Sequence, residues 1–284
     1  MRLPKGKLIE ADHLGLLSAR KGGEFPLEIN EAIVHGDPDR VIAHASLLED
    51  SRIIAKKRGF ISALGKWNER DILITSSGMG TGSASIVFEE LAELGIKTIL
   101  RVGTSGTTKE EIKGGDLIVP TEVLIEGPVL RYLEPDYTRI RPRKSLPWLR
   151  EKDGFLFVEV DNYVCETLQY EAKKTIEEKG KVEKHAVWAG PIYDKDILHA
   201  WRPEYSLDPE GILRLRNSIE RITIGTDMES GALNVISKLR KLKAGSILVV
   251  VDFHANDEEK AIEKEAMQMA FEISLRTLDS LKRK

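Results

Sequence analysis

An α/β fold is the class this sequence predicts, with a largely parallel or mixed sheet covered by helices on both faces. Three observations predict it. Short Val- and Ile-rich runs recur along the chain, helical spacing of apolar residues lies between some of them, and Gly, Pro or Asp marks their ends. The runs are residues 71–76 (DILITS), 98–102 (TILRV), 116–120 (DLIVP), 154–160 (GFLFVEV), 185–189 (HAVWA) and 246–252 (SILVVVD). Their continuous apolar character suits strands buried on both faces, because a half-exposed strand would alternate. Over residues 83–94, Val87, Leu91 and Leu94 recur at helical spacing, and Gly95 can stop the helix. Residues 257–281 put Ile262, Ala266, Met269, Ile273 and Leu281 on one broad face with charges elsewhere. Strand–helix–strand order then places helices on both sides of the sheet. Residues 130–150, rich in Pro, Arg and Tyr, and residues 193–220 read as long irregular loops, where a rigid sheet usually carries its ligand contacts.

A chain of 284 residues reads as one domain spanning 1–284. Hydrophobic residues make up 41%, enough for a packed core, and the charged 31% is of mixed sign with a net charge of -3. Nucleic-acid binding needs clustered positive charge, so no nucleic-acid partner is expected, and Lys282-Arg283-Lys284 reads as a solvated helix end. The longest aliphatic run, residues 247–251, is far too short for a membrane span, and residues 1–7 (MRLPKGK) lack a signal peptide's apolar core. The single cysteine, Cys165, cannot form an internal disulfide. A cytoplasmic protein with no membrane partner is expected.

Four segments can carry chemistry. Gly78-Met79-Gly80-Thr81-Gly82-Ser83 follows a strand and opens a helix, so its amides can approach an anion; the plain alternative is a tight turn. Its G-x-G-x-G spacing, and Arg101 where a dinucleotide site wants an acid, argue against a dinucleotide. Arg101-Val102-Gly103-Thr104-Ser105-Gly106-Thr107-Thr108 sends an arginine out of a strand into hydroxyl residues and glycines, which suits phosphate oxygens or an ordinary ion pair. In Gly36-Asp37-Pro38-Asp39-Arg40 the glycine permits close approach and Arg40 can reach a phosphate, although taken alone the motif is better explained as an ordinary Asp-Pro turn with a surface arginine. In Gly225-Thr226-Asp227-Met228-Glu229-Ser230, a carboxylate can accept from two adjacent sugar hydroxyls, or Asp227 can simply cap a helix. Histidines are scattered, so no metal site is expected.

GMGTGSASIVFEELAELGIKTILRVGTSG resembles the central segment of the nucleoside phosphorylase family, most closely its uridine phosphorylases. GDPDR, DMES and Asp12-His13-Leu14-Gly15 resemble three further motifs in family order, and the likeness runs from about residue 12 to 275. The resemblance implies a three-layer α/β/α fold with a mixed, barrel-like sheet. It implies a homo-oligomer built from dimers, often a hexamer, that shares its sites between subunits. Gly36, Arg40, Arg101 and Thr104 would hold phosphate, with Arg58 from the neighbouring subunit. Met228 and Glu229 would hold ribose, with the neighbour's His13 on the 5′-hydroxyl. Thr104, Ser105, Gly106 and Ile192 would line the nucleoside, Gly106 backing the base. Nucleoside and inorganic phosphate are the implied partners, with no organic cofactor or metal.

The sequence also departs from the family. The Gln-x-Arg pair that reads uracil in uridine phosphorylases does not follow residues 189–195 (AGPIYDK). Gly59 replaces the glutamate that binds potassium in the bacterial uridine enzymes, so no such ion is expected. Asp252 ends its strand where the bacterial-type purine enzymes place the acid for purine N7, which makes it a candidate catalytic residue beside Arg101 and Glu229; pairing with His254 or Lys260 is the structural alternative. A purine or relaxed specificity is therefore expected. The rival functions are a nucleosidase of the same fold, which has no use for three converging arginines, and a catalytically silent nucleoside-binding protein.

Overall fold

The computed structural model describes residues 12–26, 28–107, 109–133, 146–252 and 254–282. The expectations for residues 1–7, Arg283, Lys284 and the 134–145 part of the proposed loop lie outside them. The first half runs α1 (Leu16–Lys21), β1 (Glu31–His35), α2 (Pro38–Ala45), β2 (Glu49–Lys57), β3 (Phe60–Trp67), β4 (Arg70–Ser76), α3 (Thr81–Glu93), β5 (Thr98–Ser105) and β6 (Leu117–Ile125). The second half runs β7 (Leu149–Lys152), β8 (Phe155–Glu159), α4 (Asn162–Glu178), β9 (Val187–Asp194), α5 (Pro209–Ile222), β10 (Gly225–Asp227), α6 (Ser230–Arg240), β11 (Lys243–Val250) and α7 (Asp257–Lys282).

The described strands form one mixed sheet in the order β10-β9-β6-β11-β5-β1-β4-β3-β2, with β8 beside β6 and β7 beside β8. β4, β1, β5 and β11 are mutually parallel, whereas β11 meets β6 antiparallel. Past the end of β5, Gly106 bridges Thr226 of β10, donating N–H to its carbonyl at 3.1 Å and accepting from its N–H at 2.9 Å. That bridge closes β5-β11-β6-β9-β10 into a ring, which is the physical content of a barrel-like sheet.

Pleat alternation divides the core in two. Ile33, Ile72, Ile74, Leu100 and Val102 pack with α4 and α7, while Ala32, Val34, Leu73 and Ile99 pack with α3 and α6. The layers are helix, sheet, helix. Arg101 shares the side of β5 occupied by Ile99, so it leaves the strand toward α3 and α6.

The six expected strands and both expected helices are present, with ends shifted by a few residues. Residues 193–220 are corrected: they hold the end of β9, two 3-10 turns and most of α5. Asp208 caps α5 by accepting the Gly211 N–H at 2.9 Å, and Pro209 opens it where a missing N–H costs nothing. Among the described residues, no helix is long and apolar enough to cross a membrane.

Candidate active site

The C-terminal ends of β1, β4, β5 and β11 point the same way, and in such sheets ligands bind beyond these ends. Two loops meet there. The Ser77 N–H donates to His35 O at 2.7 Å, and a Cβ on Gly36 would stand 3.5 Å from Gly78 O, so GDPDR and the glycine-rich turn lie against each other. Asp37 caps α2 by accepting the Asp39 N–H at 2.9 Å, and α2 carries Arg40 one turn in. The Arg40 guanidinium lies 4.0 Å from Asp37 and is one-third exposed. Burial pushes its pKa down, with Arg101 adding to the push and Asp37 opposing it; an arginine stays charged under such a shift.

Arg101 is the centre of the site, and only 3% of it is exposed. Its guanidinium lies across Gly103, where a Cβ would come 2.2 Å from Nη1; only glycine leaves room. Nη2 donates to Glu229, and Nη1 lies 2.9 Å from Asp227 Oδ2 without hydrogen-bond alignment. Burial works against this charge, but Glu229, Asp227 and Asp194 outweigh it and raise the arginine pKa further. Nε and Nη1 are buried and lack hydrogen-bond acceptors among the described residues, so the guanidinium holds unspent donors.

The carboxylates come from two strand ends and a helix start. Glu229 accepts the Gly80 N–H at 2.6 Å, so the residue before α6 closes onto the turn that opens α3. Asp227 accepts the Ser230 hydroxyl at 2.6 Å and its N–H at 3.2 Å, so it caps the start of α6, while the site role falls on Glu229 beside it. Asp194, fully buried, lies within 3.4 Å of the Thr81 hydroxyl. Burial and the charges of Asp227 and Glu229 push its pKa well above the carboxylate range; Asp227 is also raised by burial, with Arg101 opposing. Burial and the neighbouring carboxylates thus favour the protonated form of Asp194 more strongly than that of Asp227, which accepts from Ser230 and faces Arg101.

The structure therefore brings Gly36, Arg40, Arg101, Thr104, Gly106, Met228 and Glu229 to one end of the sheet. It places three expected residues differently. Ile192 is 0% exposed within the β9 core, so its side chain meets no open space. The Ser105 hydroxyl is occupied, donating to Gly106 O at 2.8 Å and accepting the Thr226 N–H at 3.1 Å. Asp252 is exposed, and its carboxylate accepts the His254 N–H at 2.8 Å in the turn after β11; the pairing with His254 is to the backbone.

His13 and Arg58 lie apart from the Arg101 cluster or at a hairpin tip. The His13 Nδ1 is 2.6 Å from Glu90, which stands about 15 Å along α3 from Gly80 at helical rise. Arg58 and Gly59 form the turn between β2 and β3, with φ of 51° and 85°. Lys57 pairs with Asp12 at 3.2 Å, so the His13 segment and the Arg58 hairpin share one surface. Asp194 and Lys195 escape the motif reading altogether; the only signal is an Asp-Lys-Asp run ending an apolar strand.

A family model described as the phosphorylase superfamily matches residues 31–279. This chain belongs to the phosphorylase superfamily. Its relatives include a uridine phosphorylase of Salmonella typhimurium, 27% identical over 87% of this chain and 92% of the relative. A guanosine phosphorylase of Halorubrum lacusprofundi is 26% identical over 77% of this chain and 76% of the relative. The fold is similar to a purine nucleoside phosphorylase of Toxoplasma gondii, with a TM-score of 0.68 at 23% identity, over 90% of this chain and 92% of that one. The superfamily match takes in β1 through most of α7, and so every strand that builds the site.

Proposed function

We propose that this chain is a nucleoside phosphorylase that reversibly converts a purine nucleoside or uridine and inorganic phosphate to free base and ribose 1-phosphate. The observation that carries the reading is Arg101, buried with donors unspent beside a second arginine. A buried, unsatisfied guanidinium is costly in a site meant for neutral water and useful in one meant for a dianion. Relatives named for uridine and for guanosine support a nucleoside substrate and leave the base open.

In this reading Gly36, Arg40, Arg101 and Thr104 hold phosphate beneath the sugar, with Arg58 from a neighbouring copy. Met228 and Glu229 hold the ribose, a neighbour's His13 takes the 5′-hydroxyl, and Gly106 backs the base. As the glycosidic bond breaks, positive charge grows on the ribose ring. The phosphate dianion stabilises that charge and attacks C1′, while Glu229, fixed by Gly80 and Arg101, orients the sugar hydroxyls. The reading asks for no organic cofactor or metal, a cytoplasmic location, and a dimer-based homo-oligomer, with the hexamer as the assembly expected. The test is a panel of nucleosides incubated with and without phosphate, with products identified. Ribose 1-phosphate formed only with phosphate supports the reading, and equal turnover to free ribose without phosphate supports a nucleosidase instead.

A further inference from the structure

Beside the expected base position stands a cation that the proposed mechanism does not use. Lys195 follows β9, and its N–H donates to Asp227 O at 3.0 Å, which fixes its backbone against β10. Its ammonium donates to Thr226 Oγ1 at 3.3 Å. Thr226 in turn exchanges two backbone hydrogen bonds with Gly106. The Thr226 hydroxyl also lies 3.5 Å from where a Cβ on Gly106 would stand, so it occupies the open face that Gly106 leaves. The lysine head is thus one hydroxyl away from the surface against which a base would lie.

Partial burial lowers the pKa of that head, with Arg216 of α5 adding to the shift and Asp227 and Glu229 opposing it. An ammonium has three donors, and Thr226 takes one of them. The Thr226 hydroxyl, accepting from the lysine, keeps its own proton to donate. The ammonium offers donors only, and the Thr226 hydroxyl adds a proton to donate beside it. β9, which Lys195 directly follows, is also the strand after which the uracil-reading Gln-x-Arg pair is missing.

We propose that Lys195, with Thr226, reads the exocyclic group at purine C6 or pyrimidine C4 and selects nucleosides whose base carries an oxygen there, such as hypoxanthine, guanine or uracil, over those carrying an amino group there, such as adenine or cytosine. The inference rests on the nucleoside phosphorylase reading and assigns that site's substrate class. A carbonyl oxygen accepts from these donors, while an amino group meets donor with donor and leaves both unpaired. The same cation lies where negative charge gathers on the oxygen as the base departs, so it favours the transition state over the bound nucleoside.

The experiment measures kcat/KM with phosphate for inosine against adenosine and for uridine against cytidine, in wild type, Lys195→Met, Lys195→Arg and Thr226→Val. Wild type is expected to prefer the oxo-base. A hydrogen bond to a charged group accounts for a loss of about ten- to a hundredfold, so Lys195→Met should lose that much on the oxo-base and less than about threefold on the amino-base. Lys195→Arg should keep most of the preference, and Thr226→Val should lower it in the same direction. Melting curves establish which variants fold; if Lys195→Met does not, Thr226→Val and Lys195→Arg decide. An active wild type that prefers amino-bases, or variants that leave the preference unchanged, overturns this inference alone. A wild type that cleaves no nucleoside overturns the proposed reaction and this inference with it.

Discussion

Replacing Arg101 with methionine removes the one cation that contacts both Asp227 and Glu229 among the described residues, while keeping most of the side-chain volume. Asp194, Asp227 and Glu229 are all at least 95% buried or nearly so, at 0%, 3% and 5% exposure, and would be left facing one another. Removing one partner of a buried ion pair costs about 3–5 kcal/mol, against a total stability of roughly 5–15 kcal/mol for a folded domain. At about 2–4 °C per kcal/mol, the melting temperature at pH 8 should fall by roughly 6–20 °C. The loss should also depend on pH in a definite direction. Without Arg101 the carboxyl pKa values rise further in the folded chain than in the unfolded one. Groups raised in this way stabilise the fold below their unfolded pKa and lose that contribution as pH rises through the folded value. Urea melts at pH 8 and pH 5.5 should therefore show a smaller deficit at the lower pH, and Arg101→Lys, which keeps the charge, should fall between the two. A deficit below about 1 kcal/mol at pH 8, or one equal at both pH values, refutes the reasoning.

Four further outcomes are expected. His44, hydrogen-bonded to His35 and stacked on Phe271, has its pKa pushed down from 6.5 to about 4, chiefly by burial and then by Arg40; the unfolded chain takes the proton first, so about 3 kcal/mol of stability should be lost as pH falls from 6.5 to 4, and His44→Leu should reduce that slope in acid melts, with His35, also pushed down by burial, keeping the rest. Gly231→Ala would put a Cβ 2.2 Å from Asp194 Oδ2 and 3.0 Å from Ile125, costing about 1–3 kcal/mol in denaturant melts and lowering activity, while Gly82→Ala, with nothing within 4 Å, should leave stability unchanged or raised. Mixing His13→Ala with Glu229→Ala chains should restore activity that neither has alone, and a fully active monomer in sedimentation would end the shared-site reading. If a purine is the substrate, Asp252→Asn should slow inosine cleavage by about a hundredfold and spare 7-methylguanosine; an unchanged rate leaves Asp252 as a turn residue only.

β4, β5 and β11 were legible because their apolar runs are continuous, whereas β1, equally buried, was not, since Glu31 and His35 leave it only three apolar residues. β2 was not, since most of its residues are exposed and it lies at the sheet edge, and β10 is only three residues long. α5 fully buries Ile219 alone, with Ile222 half-buried beside it, so its stripe of Ile212, Leu215, Ile219 and Ile222 is thinly covered, and among Pro and charged residues the segment read as loop. In the site, Arg101 and Glu229 announced themselves through glycine-rich surroundings. Asp194 did not, because a carboxyl at the end of one strand gains meaning only when another strand brings Arg101 and Asp227 beside it. Ser105 shows the reverse: the hydroxyl suited a ligand on paper, but the closure of the ring consumes it.

That closure has a thermodynamic consequence. On the proposed assignment, the phosphate contacts Gly36, Arg40, Arg101 and Thr104 lie on the β1 and β5 side of the Gly106–Thr226 bridge, and the nucleoside contacts Glu229, Met228 and Lys195 lie on the β10 side. The phosphate therefore grips the β5 lip of the seam, while the nucleoside, backed by Gly106, reaches across to the β10 lip. The two touch at C1′, so each braces the contacts the other needs. Their combined protection against heat should exceed the sum of their separate effects, so that the protein binds each substrate more tightly in the presence of the other.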